Sequence, residues 1–322
     1  MLMDRVKRFA SGVRRSEGAR FAPALGVIAP CLLLSIGSVA LLSASDSLTL
    51  GLFGALLLAL NLVQWFVVMH ECGHGTLFPW KPVNTALGHL AGALTLFPFH
   101  AWRVVHHQHH VWTGWKDKDP TTARAVPRNL PAWQRRVIDS CWRWHVPLFM
   151  FIYRFDNFWS VGRLSALLGC HRFARAVAWN AALLGAVYLS LALLLPGRVS
   201  LLLALAFFLF NVLIEPLMLS QHTHIAQGVS SPELPAQPHA PRDQVAFTRS
   251  AYFPPLVSRL LVFHFDRHEA HHAHPAAPCY ELPHLEIHDA NGMPFFRWWR
   301  ESRRLPGHVL LFKTREETGA PL

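Results

Sequence analysis

Charge is scarce in this chain: Asp, Glu, Lys and Arg make up only 15% of its 322 residues, against 52% apolar residues. That balance excludes an ordinary soluble domain, yet polar stretches interrupt it too often for a bare bundle of membrane spans. Cysteine is sparse and unpatterned. Cys31, Cys72, Cys141, Cys170 and Cys279 are odd in number and form no Cys-x-x-Cys pair. They read as free thiols in a reducing compartment, not as a disulfide framework. No repeat of fixed period is present, which excludes a solenoid. Tyrosine occurs only four times, whereas histidine occurs 21 times and is mostly clustered. A metal protein is the first expectation.

Four apolar runs, at about 21–42, 48–69, 174–195 and 199–219, are long enough to cross a bilayer, which takes roughly 20 helical residues. The first is too long and too late for a cleaved leader, so it is expected to be retained. Asn61 and Gln64 interrupt the second run and Glu215 the fourth, each toward the end that leads into a histidine cluster. Polar groups at such depth are costly and face a bundle interior or a site. Stretches 83–102 and 146–159 are aromatic-rich but broken by Gly, Pro or charge, and are expected to lie in the interface. Pro and Ala crowd residues 230–241, an expected irregular connector.

The net charge of +11 is distributed in a way that argues topology rather than nucleic-acid binding. Basic residues fill the N-terminal arm, the long middle segment and the C-terminal segment. The turn after the first run has none, and the turn after the third has only Arg198. By the positive-inside rule both termini and the middle segment are cytoplasmic. The expected division is a basic cytoplasmic arm at 1–20, spans one and two at 21–69, and a cytoplasmic segment with interfacial helices at 70–173. Spans three and four at 174–220 and a cytoplasmic segment at 221–322 complete it. The fold class expected is all-α and integral to the membrane: four transmembrane helices with a cytoplasmic helical cap holding a histidine-rich dinuclear metal site. The expected location is a bacterial inner membrane.

Four histidine clusters stand out: HECGH at 70–74, HHQHH at 106–110, QHTH at 221–224 and HEAHH at 268–272. Residues three and four apart share a helix face. His70 with His74, His106 with His109 and His110, and His268 with His271 and His272 are therefore each expected to converge on one point. The topology puts all four clusters on one membrane side. HECGH also fits the zinc-protease pattern His-Glu-x-x-His, but so does HEAHH, and nine histidines suffice for two metals. Imidazole suits iron, copper and zinc alike, so the residues alone leave the metal open.

The set HECGH, WRxxHHQHHxxT followed by Asp119-Pro120, QHTH and HEAHH resembles the membrane fatty-acid desaturases, most closely the acyl-lipid oleate-desaturase type. The resemblance covers roughly residues 64–285. It implies a mushroom-like helical fold and a di-iron centre held by His70, His74, His106, His109, His110, His222, His268, His271 and His272, with dioxygen as co-substrate. His107 is left as an extra, and His224 is a near neighbour of His222. No His-Pro-Gly-Gly haem signature is present, so electrons are expected from an external ferredoxin, or from a cytochrome with its reductase. The implied substrate is a membrane lipid's acyl chain. Glu71, Asp119, Asp266 and Glu269 are candidates to orient the imidazoles by accepting their free ring N–H. Phe97, Phe99, Trp102 and Trp112 are candidates to line an acyl tunnel, or else to anchor at the interface. Cys72, inside the first cluster, is expected to pack as a small apolar residue.

Three other readings stand beside this one. The same boxes serve oxygen insertion, so a hydroxylase or ketolase of a lipid or carotenoid is the neighbouring alternative. An intramembrane zinc protease predicts a single zinc and a vital Glu71. A metal transporter would need ligands inside the spans, which hold almost none.

Overall fold

The computed structural model describes residues 19–44, 47–168, 171–288 and 290–322. Arg5, Lys7, Arg8, Arg14 and Arg15 of the expected N-terminal arm, and Cys170, lie outside the described residues. The helices in chain order are α1 (Phe21–Ala44), α2 (Leu48–His74), α3 (Lys81–Leu94), α4 (Phe99–Trp112), α5 (Ala132–Arg143), α6 (Leu148–Arg154) and α7 (Val161–Leu168). There follow α8 (His171–Leu194), α9 (Gly197–His222), α10 (Pro255–Leu260), α11 (His268–Ala273), α12 (Phe295–Ser302), α13 (Gly307–Phe312) and α14 (Arg315–Thr318). Among the described residues the only strands are a two-residue parallel pair, β1 (Ala251–Tyr252) and β2 (Met293–Pro294). The expected all-α class holds.

Helices α1, α2, α8 and α9 are long and apolar enough to cross a membrane. Their outer faces carry exposed leucines, among them Leu33, Leu189, Leu193 and Leu194, as lipid-facing surfaces require. Helix α2 is the central one: it packs against α1, α3 and α9 and buries Ala55, Ala59 and every residue from Asn61 to Cys72, with Asn61 and Gln64 both hydrogen-bonded. Asn61 Nδ2 donates to the Cys31 carbonyl at 2.9 Å, Ser35 Oγ donates to Asn61 Oδ1 at 2.7 Å, and Gln64 Nε2 donates to the Leu260 carbonyl at 2.8 Å. The two polar interruptions thus pin α1 and α10 to α2, through contacts that contribute roughly 1 kcal/mol each inside a membrane. Glu215 has a different task. Its Oε2 accepts the Met150 N–H at 2.9 Å, so a carboxylate from α9 caps the N-terminus of α6, where backbone donors have no helical partner.

Both central helices run past the apolar runs that define them. Helix α2 continues through the whole of HECGH, and α9 continues to His222. The apolar spans and the first and last metal-type histidines therefore share rigid rods. Gly75, at φ 75°, stops α2 one residue after His74, and its N–H bonds back to the Cys72 carbonyl, a left-handed cap that suits glycine. The stretch 83–102 folds as α3 and the start of α4, and 146–159 folds as α6 with a single π turn at Phe155–Trp159. Residues 230–240 are irregular and lead into a 3₁₀ turn at Pro241–Phe247.

Candidate metal centre

Helix ends, not loops, present most of the histidines. His70 and His74 lie on the last turns of α2, His106, His109 and His110 on α4, His222 on the last turn of α9, and His268, His271 and His272 on α11. Their rings form two adjacent groups. His70, His74, His106 and His271 make one, and His109, His222, His268 and His272 make the other. Within each group one ring nitrogen per residue lies within 4.8 Å of all the others. His110 joins the first group, its Nε2 lying 3.1 Å from His106 Nε2 and 3.0 Å from His271 Nε2. The groups touch where His110 and His272 approach to 4.4 Å between ring centres.

The expectation that each cluster converges on one point is corrected here. HHQHH sends His106 and His110 to the first group but His109 to the second; HEAHH sends His268 and His272 to the second but His271 to the first. The reason is angular. At about 100° per residue, the i+4 position lies some 40° round the helix in one sense, and the i+3 position some 60° in the other. Each pair spaced by four stays together, and the third histidine crosses over.

The inward atoms are nearly all Nε2. His74 and His106 meet at 2.8 Å, His222 and His268 at 2.8 Å, and His268 and His272 at 3.0 Å, Nε2 to Nε2 in every case. On the outer side, Nδ1 of four rings donates to a fixed acceptor. His70 faces Glu71 Oε1 at 3.1 Å, His109 faces Asp119 Oδ2 at 2.6 Å, His272 faces Gln244 Oε1 at 2.8 Å, and His222 faces the Phe247 carbonyl at 3.3 Å. A ring that donates from Nδ1 carries a lone pair at Nε2. Facing lone pairs repel, and a cation between them removes the repulsion. His70 Nε2 is buried with no hydrogen-bond partner, as a ligand atom awaiting a metal would be. The donor set thus fits two imidazole-bound metal ions.

Burial favours the neutral form at most of these imidazoles. It pushes His106, His110, His268, His271 and His272 well below the usual imidazole range, and repulsion from neighbouring histidines adds to it. Burial alone would raise Asp119. The His109 ring beside it and the Thr121 N–H outweigh that, and its carboxyl ends below the ordinary value.

The four acidic candidates separate into two kinds. Glu71 and Asp119 each hold a ring of the cluster. Glu71 also accepts Thr76 Oγ1–H at 3.0 Å and the Cys279 N–H at 2.8 Å through Oε2. All of this occupies the carboxylate that a protease would need as a base. Asp266 instead accepts the Phe253 N–H and Ser258 Oγ–H. Glu269 accepts the N–H groups of Ser250, Ala290 and Asn291, which ties the box on α11 to both strand approaches. His224 lies apart from both groups, its Nε2 2.6 Å from Thr318 Oγ1. Of the four aromatic candidates, Trp102 stacks on His106 at 4.4 Å and lines a small cavity at the histidines. Phe97 packs against Phe66 and Phe158. Phe99 lies against His89, and Trp112 is half-buried at the end of α4. Cys72 is buried with a free thiol, as are Cys31 and Cys279, and Cys141 is also free.

Three contributors escape the sequence reading. Gln244 bridges His272 and, through Nε2 at 2.7 Å, the His110 carbonyl. The Phe247 carbonyl carries no sequence signal at all. Thr121 bonds both Asp119 and His109; the Asp-Pro-Thr turn, in which Asp119 Oδ1 accepts the Thr121 N–H at 2.8 Å, is a signal that finds it.

The fatty acid desaturase family model matches residues 47–302. This chain belongs to that family. Among its relatives, a sn-1 oleoyl-lipid 12-desaturase of Picosynechococcus sp. is 39% identical over 67 residues, covering 21% of this chain and 19% of the relative. A sn-1 acyl-lipid omega-3 desaturase (ferredoxin) of Synechocystis sp. is 37% identical over 93 residues, covering 28% and 25%. A Delta(12) fatty acid desaturase of Caenorhabditis elegans is 44% identical over 54 residues, covering 17% and 14%. The aligned stretches thus span no more than a quarter of the length of these three relatives.

Proposed function

We propose that this family member is an O2-dependent desaturase that introduces a C=C bond into the acyl chain of a membrane lipid. Its two irons are held by His70, His74, His106, His110 and His271 on one side and by His109, His222, His268 and His272 on the other. The observation that carries the reading is the inward-facing set of Nε2 atoms opening onto an apolar cavity. His70, His106, His109, His222 and His268 line that cavity of about 60 Å³ together with Phe66, Trp102, Phe149, Met218 and Phe265. When bound, iron with dioxygen supplies the oxidising power that removal of hydrogen from an unactivated methylene requires. Overall, a CH2–CH2 pair, O2, two electrons and two protons become CH=CH and two waters.

The chain's own part is placement and protection. Glu71, Asp119, Gln244 and the Phe247 carbonyl hold four imidazoles in the tautomer that leaves Nε2 for metal, a role whose loss costs roughly 10–100-fold in affinity or activity. Phe66, Phe149, Met218 and Phe265 keep the reacting methylenes in an apolar setting. The two electrons come from an external ferredoxin, or from a cytochrome with its reductase; one relative is named for ferredoxin. We place the chain in a bacterial inner membrane, and the excess of Lys and Arg in the segments flanking the spans favours both termini and the site on the cytoplasmic face.

Lipid profiling of cells expressing the chain tests the reading. New double bonds in lipid acyl chains are the expected result. Added oxygen instead would make it a hydroxylase or ketolase.

A further inference from the structure

A second cavity, of about 250 Å³, lies outside the histidine cavity and shares part of its wall. Thr121, Ala125, Phe149, Tyr153, Leu219 and Leu311 line both. These side chains are the wall shared by a small chamber at the histidines and a larger one between α5, α6, α9 and α13, the place for a neck between the two. Two features of the outer chamber indicate its occupant. Glu215 and Leu219 on its wall belong to the last turns of the membrane-spanning helix α9, so the chamber abuts the end of a span. Val146 and Ile152 line it and are also 40% and 50% exposed, with Trp144 and Phe155 exposed nearby in sequence at 72% and 61%. Exposed apolar side chains of this kind mark an interaction surface, and beside the end of a span that surface suits hydrocarbon.

Another edge of the chamber is cationic. Arg124 and Arg128 line the chamber beside Asp156. Arg124 makes a bidentate pair with Asp156, through Nε at 2.8 Å and Nη2 at 2.9 Å, and Arg163 shares the same carboxylate. Arg128 is exposed and lies over the Phe312 ring. Two guanidinium groups therefore share the Asp156 carboxylate, and Arg128 adds a third positive charge on the chamber wall, with no acidic side chain against it among the described residues. Glu215 on the chamber wall is engaged with the Met150 N–H.

We propose that the outer chamber seats an anionic membrane lipid, with its phosphate or sulfate headgroup between Arg124 and Arg128 and its acyl chain passing the neck toward the histidines. The proposal rests on the desaturase reading of a membrane-lipid substrate and adds the headgroup class: anionic rather than neutral. Guanidinium forks match such headgroups geometrically, and each arginine near an anionic surface contributes roughly fivefold in binding.

Native mass spectrometry of the full chain, offered phosphatidylglycerol and phosphatidylcholine with the same acyl chains, tests the headgroup site without any turnover. At least fivefold preference for phosphatidylglycerol is expected. Arg128→Gln and Arg128→Glu should each remove most of that preference while leaving the melting temperature unchanged. A turnover arm supplies the same two lipids in vesicles, or an acyl-CoA, with reduced ferredoxin as donor. Double bonds should accumulate first in phosphatidylglycerol. Equal retention of both lipids overturns the headgroup proposal and leaves the desaturase reading standing, whereas double bonds confined to the acyl-CoA overturn both the headgroup proposal and the membrane-lipid substrate. Oxygenated rather than unsaturated chains overturn the desaturase reading, while lipid retention still decides the headgroup site.

Discussion

The two histidine groups are built by different means. In the first, His70, His74, His106, His110 and His271 are set mainly by packing: α2 against α4, Trp102 stacked on His106, and Glu71 as the acceptor for His70. In the second, three of four rings are held by hydrogen bonds that they donate to Asp119, Gln244 and the Phe247 carbonyl. Each group takes rings from a spanning helix, from α4 and from α11, but the first has two on α2 whereas the second has two on short α11. Those three rings of the second group are held through acceptors on connectors, which supply directional bonds where packing is sparse. The crossing of His109 and His271 then makes the groups interdependent, because each box supplies ligands to both.

That interdependence is what the largest expected effect should expose. His271→Ala and His109→Ala each remove the member that crosses over. Either should abolish desaturation, and metal analysis should show loss beyond a single ion, since the neighbouring group loses the box that frames it. Retention of one full metal ion in both variants would show that the groups are independent.

Next come the acceptors. Asp119→Asn and Gln244→Ala should lower metal affinity of the second group by roughly 10–100-fold, leaving the first group's occupancy the larger. Chelator titration of purified protein reads both. Equal loss from the two groups would contradict the contrast drawn between them.

Acidification sharpens it further. Burial depresses His106, His110, His268, His271 and His272 in the folded chain, whereas unfolded histidine titrates near 6.5. Below about pH 6.5 the unfolded chain binds more protons than the folded one, so stability is present above that pH and falls as the pH drops. Metal-free protein should therefore melt lower at pH 5.5 than at pH 7.5. A melting temperature unchanged between the two would mean that these rings are not buried as described.

The smallest effect is expected at Gly73. A Cβ there would come within 2.3 Å of the Trp102 ring, which stacks on His106. Overpacking of this kind costs roughly 1–3 kcal/mol, and Gly73→Ala should lower activity through the first group with modest loss of melting temperature. Gly73→Ala paired with Trp102→Leu should recover part of that loss.

Much of this was legible in the residues. The four spanning helices follow from apolar runs that only a membrane accommodates, and the nine clustered histidines from helical spacing. Which histidine belongs to which group was not legible, because i+3 and i+4 positions look equivalent until a second helix fixes the viewing direction. Gln244 was invisible for another reason: it sits in a 3₁₀ turn 28 residues before His272, with no periodicity to place it. Asp266 and Glu269 share composition and neighbourhood with Glu71 and Asp119, yet they bond backbone N–H groups of the strand approaches. Only the path of the connector distinguishes such roles.

Metal content of the purified full chain tests the central account most directly. Two irons per chain are predicted, falling below one in His271→Ala. A single zinc per chain, unaffected by His109→Ala or His271→Ala, would contradict it.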